Sequence, residues 1–236
     1  LLVKKIKPEF IIDFASICMV NESWQNPKKY FKINFLSKIN LCKFVSDKKF
    51  LKKYIYISTP EVFGSTNKYL SEDLFEYKPS TPYASSKLAA ENIIKNFNKK
   101  NKFVIARFSN FYGPYQPNYR LIPNVILSIL NKKNFIIQGK GSSKRNFIFS
   151  DDFCEGILKV ILKKNHRFIY HFSGEEFYSV KQIVMKISTL MGKKFSELVK
   201  YSKDRKGKDK IYKLKSFKTK KNLNWRPKIN IDDGIK

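Results

Sequence analysis

The sequence predicts an α/β protein built on a doubly wound parallel sheet, and three observations predict it. Short apolar runs recur at 10–15 (FIIDFA), 54–58 (YIYIS) and 103–106 (FVIA), the pattern of strands buried on both faces. Segments of helical period separate them. Polar residues gather just past the runs, where ligands of open α/β sheets sit.

In chain order, Lys7-Pro8 leads into the first strand. Asn26-Pro27 opens a stretch with apolar residues at Tyr30, Ile33, Phe35, Leu36, Ile39, Leu41 and Phe44, close to helical spacing. After the second strand, Ser80-Thr81-Pro82 combines a hydroxyl cap with a first-turn proline and starts a helix running to about residue 98. The third strand ends at Gly113-Pro114. Beyond it the pattern predicts helices at 121–130, 151–162 and 180–191, and strands at 147–149 and 168–172. A basic tail from 196 to 236 carries a strand-like 210–212 and a closing Leu-Asn-Trp-Arg-Pro turn. The resulting division is 1–113, with 151–174 returning to it, as the sheet domain, and 114–150 with 175–236 as a smaller α/β lobe.

Composition sets the outer limits. A chain of 236 residues with 42% hydrophobic content is enough for a large α/β domain with a smaller lobe. No stretch approaches the roughly 20 apolar residues of a membrane span, and the opening residues lack a signal peptide's apolar run. Cys18, Cys42 and Cys154 are scattered, which argues against a disulfide or metal framework and for a reduced, cytoplasmic protein. The net charge of +29 has two readings, nucleic-acid binding or a chain-wide bias toward Lys, Asn, Ile, Phe and Tyr of the kind a low-GC coding background gives. The lysines are spread over every segment and no nucleic-acid-binding pattern accompanies them, so bias is the reading adopted. A basic surface still favours an anionic substrate.

Tyr83 and Lys87 stand four apart on one helix face. An ammonium beside a phenol favours the phenolate, giving a base that removes a hydroxyl proton while hydride leaves the same carbon. Among 13 tyrosines only Tyr83 has Lys at the fourth position onward, although in so Lys-rich a chain the spacing alone also fits accident.

The surrounding motifs give it a context. They are Ile57-Ser58-Thr59-Pro60-Glu61-Val62-Phe63-Gly64 upstream and Arg107-Phe108-Ser109-Asn110-Phe111-Tyr112-Gly113-Pro114 downstream. Further on come YQPNYRLIPNVI at 115–126, Gly139-Lys140-Gly141 leading to Arg145-Asn146-Phe147, Asp204-Arg205 with Gly207-Lys208-Asp209, and Leu223-Asn224-Trp225-Arg226-Pro227. In that order the chain resembles, from about residue 8 to its end, the extended short-chain dehydrogenase/reductases of the NAD-dependent epimerase/dehydratase family, and within them the dTDP-glucose 4,6-dehydratases. The resemblance implies a Rossmann-like domain, NAD as cofactor, a nucleotide-diphosphate sugar as substrate and a homodimer built on the helices near 28–45 and 82–98, with no role for nucleic acid, membrane or metal.

It also implies residue roles. Tyr83 and Lys87 are the dehydrogenase pair, Thr59 orients the 4-hydroxyl, and Glu61 removes the C5 proton once C4 is a ketone. Phe14, Ala15 and Ser58, with Tyr83 and Lys87, line the cofactor; Asn110, Leu121, Arg145 and Arg205 meet the substrate, the arginines through its diphosphate. His166 and His171 have no ligand partner at useful spacing and are expected to be structural.

Three departures limit this. Pro60 stands where dTDP-glucose 4,6-dehydratases usually carry an Asp that protonates the departing C6 hydroxyl, and proline has neither an acid nor an N–H. Gln138 replaces a tyrosine near the base. An epimerase or a UDP-glucuronate decarboxylase on the same scaffold is therefore the alternative. Thirdly, no Gly-x-x-Gly-x-x-Gly loop and no Met precede Lys7-Pro8-Glu9-Phe10. The expectation is that about 70 residues lie upstream in a full-length parent, and that this chain alone binds NAD poorly and folds marginally. A non-catalytic fragment or basic binding module is the third reading.

Overall fold

The computed structural model describes residues 2–204 and 211–236. Among the described residues the strands are β1 (Phe10–Asp13), β2 (Lys53–Ser58), β3 (Tyr69–Leu70), β4 (Phe103–Phe108), β5 (Asn110–Tyr112), β6 (Phe135–Gln138), β7 (Lys144–Phe149), β8 (Ile169–Phe172), β9 (Phe177–Ser179), β10 (Val199–Ser202) and β11 (Lys213–Leu214). The principal sheet has the order β1-β2-β4-β8 with every pairing parallel. Parallel neighbours need crossovers, and helices supply them on both faces.

On one face, Ser37–Val45 and Pro82–Phe97 pack over Tyr54, Tyr56, Phe103 and Ile105. On the other, Ser150–Leu162 covers Ile55, Ile57, Val104 and Ala106. Alternate residues of one strand thus enter two cores, as the period of two requires. This is the doubly wound α/β class the sequence predicts. β1 forms an edge, and Phe10 and Ile12 on it are exposed.

The helix from Pro82 begins as its sequence dictates. Thr81 caps the amide of Ala84 at 3.1 Å and proline occupies the first turn. The helical run before β2 is less regular. Pro27–Phe31 continues through a π-helical turn at Lys32–Leu36 into Ser37–Val45. That extra residue turns Asn34 inward, where it is fully buried.

A second core joins the helices Leu121–Leu130 and Val180–Leu190 around Val125, Ile129, Ile183, Val184 and Ile187. Beside it, β7 pairs parallel with β5 and antiparallel with β9, and β6 pairs with β10. Trp225 locks the basic tail onto the principal sheet. It is buried edge-on against Phe172 with its indole N–H donating to the Asp152 carbonyl at 2.9 Å. A Cβ on Gly156 would lie 2.4 Å from the Phe172 ring, so only glycine admits that packing.

Several boundaries differ from the sequence reading. The first strand stops at Asp13, not at residue 15, because the Asp13 carboxylate turns back to accept the Ala15 amide at 2.9 Å. The strand expected at 147–149 begins at Lys144. β3, β5, β6, β9 and β10 were not anticipated; each has four residues or fewer, too few for a period to declare itself. Of the expected strand at 210–212, residue 210 lies outside the described residues. Ile211 makes only an isolated bridge to Lys144, and pairing resumes at β11.

Candidate active site at the carboxyl end of the parallel sheet

The chain leaves β2 at Ser58 and turns at once into a short 3₁₀ turn, Pro60–Phe63. Thr59 caps it, its hydroxyl accepting the Glu61 amide at 3.2 Å. Pro60 sits at the first position, where a missing N–H costs nothing. Gly64 closes the turn at φ +68°, and a Cβ there would lie 2.2 Å from the Lys78 carbonyl oxygen. This geometry sets Thr59 and Glu61 against the helix that carries Tyr83. Thr59 hydrogen-bonds to Tyr83, and the Glu61 charge acts on the same phenol.

One turn along, Lys87 is buried, donating from Nζ to the Ile57 carbonyl at 2.7 Å and lying 4.2 Å from the centre of the Tyr56 ring. Thr59 and Glu61 therefore meet Tyr83 beside the tip of β2, while Lys87, one turn along the same helix, is anchored to the β2 backbone beneath them. The electrostatics differ from the expectation of an ammonium-lowered phenol. Burial, then the Glu61 carboxylate, push Tyr83 well above the ordinary tyrosine range. Burial and the neighbouring Lys38 push Lys87 down to about 7. Burial that disfavours the ammonium, with Nζ turned toward a backbone carbonyl, works against the field that the four-residue spacing suggests.

The other anticipated residues fall into separate groups. Ala15 and Phe14 are exposed at the end of β1, with Phe14 edge-on to Phe153. Ser58 is buried, and its hydroxyl donates to Glu91 Oε1 at 2.5 Å. Asn110 Oδ1 accepts from the Tyr212 hydroxyl at 3.0 Å, and the Arg145 guanidinium lies 4.2 Å from the Tyr212 ring centre. Tyr212 in turn acts on Tyr83, which links this group to the first. Leu121 opens its helix, its half-buried side chain packed on the second core. Arg205 lies outside the described residues.

Sequence reasoning missed the layer beneath. Glu91 accepts from Arg107 through Nε at 2.9 Å and through Nη2, and both residues are buried. Arg107 also reaches the Tyr77 hydroxyl at 2.8 Å and His171 Nε2 at 3.2 Å. The Nδ1 edge of His171 meets the carbonyls of Leu70 and Lys215, which fixes the neutral tautomer with Nε2 as acceptor. Burial, then Arg107, hold this imidazole well below the usual histidine range. Asn34 bonds both backbone groups of Ile17 and the Ser86 hydroxyl, tying the segment after β1 to the Tyr83 helix. A signal for Glu91 did exist: it follows Lys87 by four and Tyr83 by eight, on the same helix face. Among the described residues, no group of three or more His, Cys, Asp or Glu side chains is placed to hold a metal ion, and no helix is long and apolar enough to cross a membrane.

Fold and site together define an α/β protein of the NAD-dependent epimerase/dehydratase type. The family model described as GDP-mannose 4,6 dehydratase matches residues 1–236, and the chain belongs to that family. It is 35% identical over 193 residues to the dTDP-D-glucose 4,6-dehydratase of Mus musculus, covering 79% of this chain and 54% of the mouse protein. With the Homo sapiens dTDP-D-glucose 4,6-dehydratase the identity is 32%, over 100% of this chain and 69% of the relative. The chain thus spans between half and seven-tenths of these relatives. Among solved structures, DesIV, a dTDP-glucose 4,6-dehydratase from Streptomyces venezuelae with NAD bound, superposes with a TM-score of 0.92 at 26% identity, over 99% of this chain and 73% of that one. UDP-glucuronic acid 4-epimerase from Bacillus cereus, in complex with UDP-glucuronic acid and NAD, gives 0.91 at 27%, over 99% and 74%.

Proposed function

We propose that the protein to which this chain belongs is an NAD-dependent nucleotide-sugar 4,6-dehydratase-like enzyme. The observation that carries this reading is the meeting of Thr59 and Glu61 with Tyr83 at the strand tips, with Lys87 one turn along the same helix and anchored to β2. Tyr83 takes the proton of the sugar's 4-hydroxyl, and Thr59 orients that hydroxyl. Glu61 takes the C5 proton, acidified once C4 is a ketone, and passes it to the departing C6 hydroxyl, which leaves as water; a solvent proton relayed by Glu61 then reaches C5 as hydride arrives at C6. NAD, when bound, would supply the acceptor and later the donor of the hydride that moves from C4 to C6. The donor set fits the nicotinamide end of NAD: a phenol and an amine on one helix face, beside an open wall at Phe14 and Ala15. Ser58, at the end of β2, completes the cofactor-facing set.

The high affinity of Tyr83 for its proton has a consequence for mechanism. A phenol held well above its ordinary range needs additional positive charge before it can act as base, and a protonated Lys87 together with the cationic ring would provide it. Arg145 and Asn110, joined by Arg205, receive the diphosphate sugar. Chain segments 1–113 with 151–174 form the cofactor domain, and 114–150 with 175–236 the substrate lobe. A second copy docks on the helices near 28–45 and 82–98. Three free cysteines fit a cytoplasmic location.

Pro60 favours one alternative, a nucleotide-sugar epimerase or decarboxylase, since the turn after Thr59 offers no acid besides Glu61. Incubating the full-length protein with dTDP-, GDP- and UDP-hexoses and developing the 4-keto-6-deoxy chromophore in base separates the two. Tyr83→Phe is expected to reduce turnover at least about 10²-fold, the scale of a lost proton-transfer catalyst. Retained turnover in that variant would remove the assignment.

A further inference from the structure

Asp13 and Lys38 form a buried ion pair that the proposed reaction does not use. Asp13 ends β1 and is 5% exposed; Lys38, on the helix Ser37–Val45, is 2% exposed. Lys38 Nζ lies 2.8 Å from Asp13 Oδ1 and 2.6 Å from the Ala15 carbonyl oxygen. Asp13 Oδ1 also accepts the Ala15 amide at 2.9 Å, and Oδ2 accepts from the Tyr54 hydroxyl. Both polar groups of the Ala15 residue are therefore tied to one pair of charges. Such a pair is weak as a source of stability, because an apolar replacement of similar volume is often as stable. Its position at the cleft wall calls for another reason.

We propose that Asp13 and Lys38 are positioning residues: the pair fixes the Asp13–Ala15 turn that walls the cleft and sets the electric field at Lys87. The inference rests on the reading of Tyr83 and Lys87 as the reacting pair. The groups facing Lys87 can be named by element. They are Tyr56 and the Ile57 carbonyl on β2, Asp13 on β1, Cys18 in the segment after it, Lys38 on the facing helix, and Tyr83 and Glu91 on its own helix. Among the charges, Lys38 favours the neutral amine after burial itself, while Asp13 and Glu91 favour the ammonium. The two members of the pair thus act on Lys87 with opposite signs. A purely structural role has no such signature.

The test is the titration of Lys87 in the full chain, followed by NMR of ε-¹³C-labelled lysine, with the resonance identified by its loss in Lys87→Arg. Lys38→Met leaves Asp13 alone and is expected to raise the Lys87 midpoint by about one unit. Asp13→Asn leaves Lys38 alone and lowers it by a similar amount, whereas Lys38→Arg keeps the charge and leaves the midpoint in place. Shifts in one direction for both variants, or none, overturn the proposal. If Asp13→Asn does not fold, the contrast between Lys38→Met and Lys38→Arg decides: equal midpoints refute it. In turnover assays of the full-length protein, the kcat pH profile moves with the midpoint. Absence of turnover in the unmodified protein would instead strike the proposed activity, leaving the titration result intact.

Discussion

Glu91 offers the sharpest test of how the site is supported. The guanidinium of Arg107 is fully buried, and Glu91 supplies its countercharge through two hydrogen bonds while also accepting from Ser58. Glu91→Ala leaves that cation with neutral partners, the Tyr77 hydroxyl, His171 and the faces of the Phe63 and Tyr77 rings. Breaking a buried pair in this way costs about 3–5 kcal/mol. In a protein of this size each kcal/mol lowers Tm by roughly 2–4 °C, so a fall of about 10 °C is expected. Urea denaturation followed by fluorescence of Trp225, buried beside Phe172, measures the loss. Removing both charges with Glu91→Leu and Arg107→Met should cost less than the single change, since no orphaned cation remains. A loss below about 1 kcal/mol for Glu91→Ala, or a double variant worse than the single, would refute the reasoning.

Two further outcomes follow from buried cationic groups. Lys53 donates from Nζ to the carbonyls of Val160, Ile161 and Lys163 at 2.6, 3.0 and 2.7 Å, closing the end of the helix Ser150–Leu162; Lys53→Met should cost about 2–3 kcal/mol in urea unfolding. The pH dependence of stability has a definite sign as well. His171 and Lys87 both bind protons less readily folded than unfolded, so the unfolded chain takes up more protons and stability rises with pH. The Lys87 contribution is complete above about 10.5 and lost as pH falls toward 7; that of His171 is complete above about 6.5 and lost below it. Urea midpoints should climb from pH 5 to 9, and His171→Gln should flatten the part below 6.5. A midpoint falling from pH 7 to 9 would contradict the burial of Lys87.

The sequence by itself determined the fold class, because three apolar runs separated by helical periods leave few ways to bury them. It also marked Thr59, Glu61, Tyr83 and Lys87 as candidates, since they lie on local patterns of a strand end and a helix turn. Local spacing could not give their protonation. Whether Tyr83 is a ready base depends on burial and on Glu61, and the state of Lys87 on charges brought from β1 and the helix of Lys38, residues distant in the chain and joined only by packing. The same holds for the fork of Glu91 on Arg107, a contact across 16 residues, and for Asn34, turned inward by a π turn that no period announces. Proximity along the chain is legible in the order of residues. The field inside a closed cleft is a property of everything that surrounds it, and only the folded structure decides that.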